Sequence, residues 1–131
     1  MNSTKLTMGI GALLSLAAVT LAVASMLHFG VAIQLGSATI SDPFAGAAIP
    51  EAVIAVVVAA GALTTFVRLA AARWLAPAAT LFALVGTVYG LTVTLRRGQV
   101  GDVAYHLALL TMLVVAAILL LSGLRRGIMG G

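Results

Sequence analysis

Asp102, Tyr105 and His106 stand at the head of an otherwise apolar stretch, Gly101 to Ser122, and are almost its only ionisable or hydroxylated groups. Spacings of three and four put them on one helical face, because 3.6 residues per turn stack such positions above one another. His28 and Glu51 are their expected partners. Imidazole and carboxylate groups gathered at one depth suit three chemistries. The first is a divalent metal site with His28, Glu51 and His106 as ligands and Asp102 and Tyr105 behind them, which needs no soft sulfur. Axial haem ligation by His28 and His106 is the second, and it demands a wide cavity in a chain rich in alanine and valine. The third is a proton-linked pocket for a lipid, quinone or other apolar ligand, in which Glu51 or His106 exchanges a proton. No local motif such as HExxH backs the metal reading.

Each of these residues also has a plainer role. Glu51 and Asp102 suit helix N-termini as caps, stabilising by about 0.3–1 kcal/mol each. A neutral histidine can simply donate one hydrogen bond, and Tyr89 and Tyr105 suit the membrane interface. The case for a site is the coincidence of two imidazoles, two carboxylates and a phenol at one level.

The elements that must position these groups are spans of a bilayer. Apolar residues make up 63% of the chain and charged residues 8%, with a mean hydropathy of +1.23. Soluble domains average about 45–50% and about 25%. A chain of 131 residues with membrane-length apolar runs is therefore expected to be one all-α integral membrane domain in the cell membrane, without a separate soluble part. Its seven basic residues sit at run ends and form no continuous stripe, which argues against nucleic-acid binding. Cysteine is absent, so disulfides, thiolate metal sites and cysteine nucleophiles are excluded. Phosphate loops and nucleophile elbows are missing too.

Four spans are expected, at 8–35, 51–68, 75–95 and 102–122. At about 1.5 Å per residue the first would reach about 42 Å against a hydrocarbon core of about 30 Å, so it must tilt, kink or emerge. A signal peptide is the competing reading of this segment, with small residues at Ala22, Ala24 and Ser25, but the apolar run continues past them. The segment Gly36 to Pro50 reads as the longest loop, with Asp42-Pro43 as a turn, Ile40 and Phe44 at the membrane surface, and Pro50-Glu51 opening the second helix. Arg68 to Trp74 reads as a tight turn with the tryptophan at headgroup level, and Gly86-x-x-x-Gly90 as a close-packing face. Gly127 to Gly131 reads as a flexible tail.

With the N-terminus inside, Lys5, Arg68, Arg73, Arg125 and Arg126 lie on the cytoplasmic side and only Arg96 and Arg97 outside, as the positive-inside rule favours. The expected fold is thus an up-down-up-down four-helix bundle with both termini cytoplasmic. Every acidic residue and both histidines then fall in its outer half.

In Ile49-Pro50-Glu51, Asp102-Val103-Ala104-Tyr105-His106 and His28 the chain resembles a group of small bacterial four-span membrane proteins, and in outline the DoxX-like proteins. The resemblance implies a four-helix bundle and no reaction. The leading expectation is a binding protein with an outer-leaflet pocket for a metal ion or small ligand, formed by His28, Glu51, Asp102, Tyr105 and His106. The alternatives are a structural or accessory subunit of a larger membrane complex and a small proton-linked transporter acting as an oligomer. Lipid is the immediate partner in each.

Overall fold

The computed structural model describes residues 3–125; Arg126 and the tail 127–131 lie outside the described residues. The order of elements is α1 (Ser3–His28), β1 (Ile33–Leu35), β2 (Ala38–Ile40), α2 (Ala45–Phe66), α3 (Ala72–Arg97) and α4 (Val100–Arg125). All four helices are long and apolar enough to cross a membrane. A helix satisfies its own backbone, which lipid requires of any spanning segment. Each helix packs on the next in the chain, and α4 closes back on α1.

None of the four has a single apolar stripe, because each is apolar all round, the pattern of a buried or membrane helix. Packing instead selects one face of each. Ile10, Leu14 and Ala17 of α1, Val58 and Ala62 of α2, Ala76 and Ala83 of α3, and Leu109, Leu113 and Leu120 of α4 form the core. Leu16, Val56, Leu81, Val85, Ile118 and Leu121 point outward, as side chains facing acyl tails do. Small residues bring the backbones together, since a Cβ on Gly61 would lie 2.9 Å from that of Ala79 and one on Gly11 would lie 2.9 Å from the Phe66 ring. Close approach of this kind holds helices together where the hydrophobic effect gives no drive.

The helix ends differ from the expected spans in three places. Helix α1 stops at His28 rather than near Leu35. Gly30 takes a φ of +92°, its N–H bonds to the Leu27 carbonyl at 2.9 Å, and the Val31 N–H bonds to Met26 at 3.0 Å. This is a Schellman closure with glycine in the left-handed position. The apolar residues beyond it form an antiparallel hairpin, Ile33 opposite Ile40 and Leu35 opposite Ala38, turning at Gly36-Ser37. The expected long loop is therefore the second strand of a hairpin, a short link and the start of α2.

Second, α2 starts at Ala45, so Pro50 and Glu51 lie inside the helix and not at its first turn. The small residues Ala45 to Ala48 extend the helix backwards through the proline, which costs the bond Pro50 would have given to the Gly46 carbonyl. Third, α3 starts at Ala72, so Arg73 and Trp74 belong to its first turn. There the Arg73 guanidinium lies 5.6 Å from the centre of the Trp74 ring. The preceding turn repeats the Schellman pattern, with Arg68 at a φ of 52° in the place glycine usually takes.

Candidate functional site

His28 is the last residue of α1 and is only 5% exposed, and Glu51, one turn into α2 beyond where a cap would stand, is 6% exposed. Their contact is direct, with His28 Nδ1 2.7 Å from Glu51 Oε2. On the same two helices the Ser25 hydroxyl donates to the Ala48 carbonyl at 2.7 Å, so α1 and α2 are pinned by two buried hydrogen bonds. The capping role expected of Glu51 is thereby excluded. Asp102 does lie in the first turn of α4.

The other nitrogen of His28 faces a residue from the loop before α2. Nε2 lies 3.3 Å from Asp42 Oδ2. The Phe44 N–H donates to the His28 carbonyl at 3.0 Å, and the Phe44 ring stands edge-on to the imidazole at 5.9 Å. Phe44 is thus half-buried over the site rather than spread on a membrane surface. Arg97, from the end of α3, closes the cluster. Its Nη2 is 3.9 Å from Asp42 Oδ1, its Nη1 is 3.6 Å from Asp102 Oδ2, and its guanidinium carbon lies 3.8 Å from the centre of the Phe44 ring.

Proton counting constrains this network. An ionised carboxylate only accepts hydrogen bonds, and a neutral imidazole offers one N–H. A histidine bonded through both nitrogens to two carboxyl groups therefore implies either an imidazolium or one protonated carboxyl. The network carries a mobile proton in either case.

His106 is held differently. Its Nδ1 is 2.8 Å from the Asp102 backbone carbonyl, an acceptor only, so Nδ1 carries the proton and a neutral ring has its lone pair on Nε2. That nitrogen points at Gly90, where an added Cβ would come within 2.5 Å of it. The Tyr105 ring meets the imidazole edge-on at 4.8 Å. Of the glycine pair expected as a packing face, Gly90 makes room for the imidazole and Gly86 for the tip of Ile54.

Between these groups lies a cavity of about 260 Å³. Leu21, Ile54, Val93 and Leu109 give it apolar walls; Glu51, Thr87, Tyr105 and His106 give it polar ones. The Thr87 hydroxyl is buried and lacks a hydrogen-bond partner, as does Arg97 Nη1, and the Tyr105 hydroxyl is buried beside the Glu51 carboxyl. A wider groove of about 800 Å³ runs between α1 and α4 past Val19, Val23 and Ile40. His28, Asp102 and Tyr105 line both spaces and form the wall between them.

The structure brings His28, Glu51, Asp102, Tyr105 and His106 to this one cavity. It also adds members that sequence reasoning used otherwise. Arg97 had been read as a topology signal, Phe44 as an interfacial side chain, and Asp42 as a turn former. The available signal was the Asp42-Pro43 pair close before a span that begins with the other carboxylate.

Among the described residues, one group of three has ligand atoms all within 4.8 Å of one another, formed by His28, Asp42 and Asp102. Glu51 and His106, expected as metal ligands, fall outside that group. The three are already neutralised by side chains: His28 Nε2 is turned to Asp42, and the Arg97 guanidinium stands beside both aspartates. We read them as an ion network and not as a metal centre. Haem ligation does not fit, because both nitrogens of His28 face carboxyl groups and the cavity is smaller than the roughly 300–1,000 Å³ typical of drug-sized ligands. Comparison with protein-family models, curated proteins and solved structures finds no match.

Proposed function

We propose that the chain is a multi-pass membrane protein that binds a small, largely apolar molecule with a hydrogen-bonding head in the cavity between its helices. The helices run up-down-up-down with both termini cytoplasmic, an orientation supported by Lys5, Arg68, Arg73 and Arg125 at one end against Arg96 and Arg97 at the other. The cavity then opens in the outer leaflet. The observation that carries the reading is the unpartnered Thr87 hydroxyl, buried in an apolar-walled cavity together with the Tyr105 hydroxyl, Glu51 and His106.

A buried polar group without a partner costs about 1–3 kcal/mol. A molecule offering a carbonyl or hydroxyl between Thr87 and Tyr105 recovers that cost, while its apolar body covers Leu21, Ile54 and Leu109. Glu51 and His106 exchange a proton with the bound head. The cavity size suits one ring or a short chain.

Native mass spectrometry of the protein purified from membranes in mild detergent tests this, together with calorimetric titration with a short-chain benzoquinone. The reading expects a retained small molecule, saturable quinone binding, and loss of both in Thr87→Val with Tyr105→Phe. Neither retention nor binding in the wild-type chain would overturn it. Stoichiometric divalent metal in the same preparation, lost in His28→Ala or His106→Ala, would replace it with metal binding.

A further inference from the structure

We infer that His28 is a proton relay that connects Asp42, at the mouth of the site, with the buried Glu51 in the cavity wall. Asp42 has 26% of its side chain exposed, whereas Glu51 is buried at 6% exposure. The imidazole bridges them with a contact on each nitrogen, 3.3 Å to Asp42 and 2.7 Å to Glu51. Both are within reach for direct proton transfer once the longer one tightens. No other imidazole among the described residues bonds to two carboxyl groups.

The transfer balances as follows. A protonated Asp42 gives its proton to His28 Nε2 while the proton on Nδ1 passes to Glu51 Oε2. Asp42 is left as carboxylate, Glu51 as carboxylic acid, and the imidazole as its other tautomer. The reverse transfer restores the first tautomer, so the relay equilibrates Glu51 with the surface in both directions and drives no net flow. The groups facing His28 support this traffic. Asp42 and Glu51 flank the imidazole, the Arg97 guanidinium from α3 lies beside Asp42, and Asp102, Tyr105 and His106 of α4 line the same cavity. Phe44 stands edge-on to the imidazole from the loop.

This inference rests on the binding reading for its purpose, which is to let a ligand head beside Glu51 take up or lose a proton through the protein. Its test needs no ligand, so the two fail separately. Infrared spectroscopy of the protein in lipid bilayers reads the carboxyl band of Glu51, identified by its loss in Glu51→Gln, and follows its hydrogen–deuterium exchange after transfer to D2O. Positioned proton donors contribute about 10²–10⁴-fold to transfer rates, so exchange in Asp42→Asn and in His28→Gln is expected to slow by about 100-fold or more. Ser41→Ala, next to Asp42 on the exposed loop, is expected to exchange as the wild-type chain does. Unchanged exchange in Asp42→Asn overturns the relay, and this variant decides the matter by itself if His28→Gln fails to fold. Slowing in His28→Gln alone overturns the assignment of Asp42 as the entry point. Absence of a Glu51 carboxyl band at every pH from acid to alkaline overturns it as well, because Glu51 then never receives the proton.

Discussion

Replacing Gly90 with alanine adds one methyl group at the point where α3 meets His106, and the structure says what that methyl would strike. The new Cβ would lie 2.5 Å from Nε2 and 2.9 Å from Cδ2 of the imidazole, well inside contact distance. The ring cannot swing away freely, because Nδ1 is tied to the Asp102 carbonyl at 2.8 Å. Moving it sacrifices that bond, worth about 0.5–1.5 kcal/mol, and overpacking in general costs about 1–3 kcal/mol. Against this, alanine is favoured over glycine inside a helix by about 0.8–1.0 kcal/mol. Gly90→Ala is therefore expected to destabilise by about 0.5–3.5 kcal/mol.

Gly9→Ala supplies the control, since it makes the same change within α1 where nothing lies within 4 Å; it is expected to gain up to about 1 kcal/mol. Unfolding in mixed micelles on titration with a denaturing detergent measures both. The double variant Gly90→Ala with His106→Ala removes the obstacle and should recover the helix gain, with a coupling of about 0.5–3 kcal/mol. If Gly90→Ala is as stabilising as Gly9→Ala, the imidazole is not packed against α3 and the cavity described here is wrongly built.

Three further outcomes follow from the packing. His28→Leu and Glu51→Leu alone should each cost about 3–5 kcal/mol, because each strands a buried partner, whereas the double variant should cost less than either, as measured by the same unfolding titration. Leu113→Ala, at a position with no exposure, should cost about 2–5 kcal/mol, against at most about 0.5 kcal/mol for Val115→Ala on the outward face. Arg68→Gly should raise stability by about 1 kcal/mol, since Arg68 holds a left-handed conformation that penalises any side chain; a lower melting temperature would show that its side chain contributes more than its backbone costs.

Hydropathy makes the four helices legible, since runs of apolar residues of that length have no other stable form in lipid. It also makes legible the gathering of the polar groups, because His28, Glu51, Asp102 and His106 all lie near span ends that adjoin. It fails at the end of α1. Val31 to Leu35 are as apolar as the helix before them, and only Gly30, whose left-handed closure stops the helix, distinguishes them. Pro50 misleads for a related reason: proline is favoured at a first helical turn, but small residues ahead of it carried the helix further back. Pairings were beyond reach altogether. Helices that are apolar all round reveal no rotation about their axes, so nothing in the chain announced that Arg97 would turn toward Asp42 and Asp102, or that Gly90 would seat His106.

The claim at the centre of the account is that His28 is engaged by a different carboxyl group on each ring nitrogen. Solid-state ¹⁵N spectroscopy of the histidine-labelled protein in lipid bilayers tests it directly, with only two histidines to assign and His106→Gln to separate them. The account predicts that Glu51→Gln moves chiefly the Nδ1 resonance of His28 and Asp42→Asn chiefly its Nε2 resonance. His28 resonances that ignore both substitutions would contradict it.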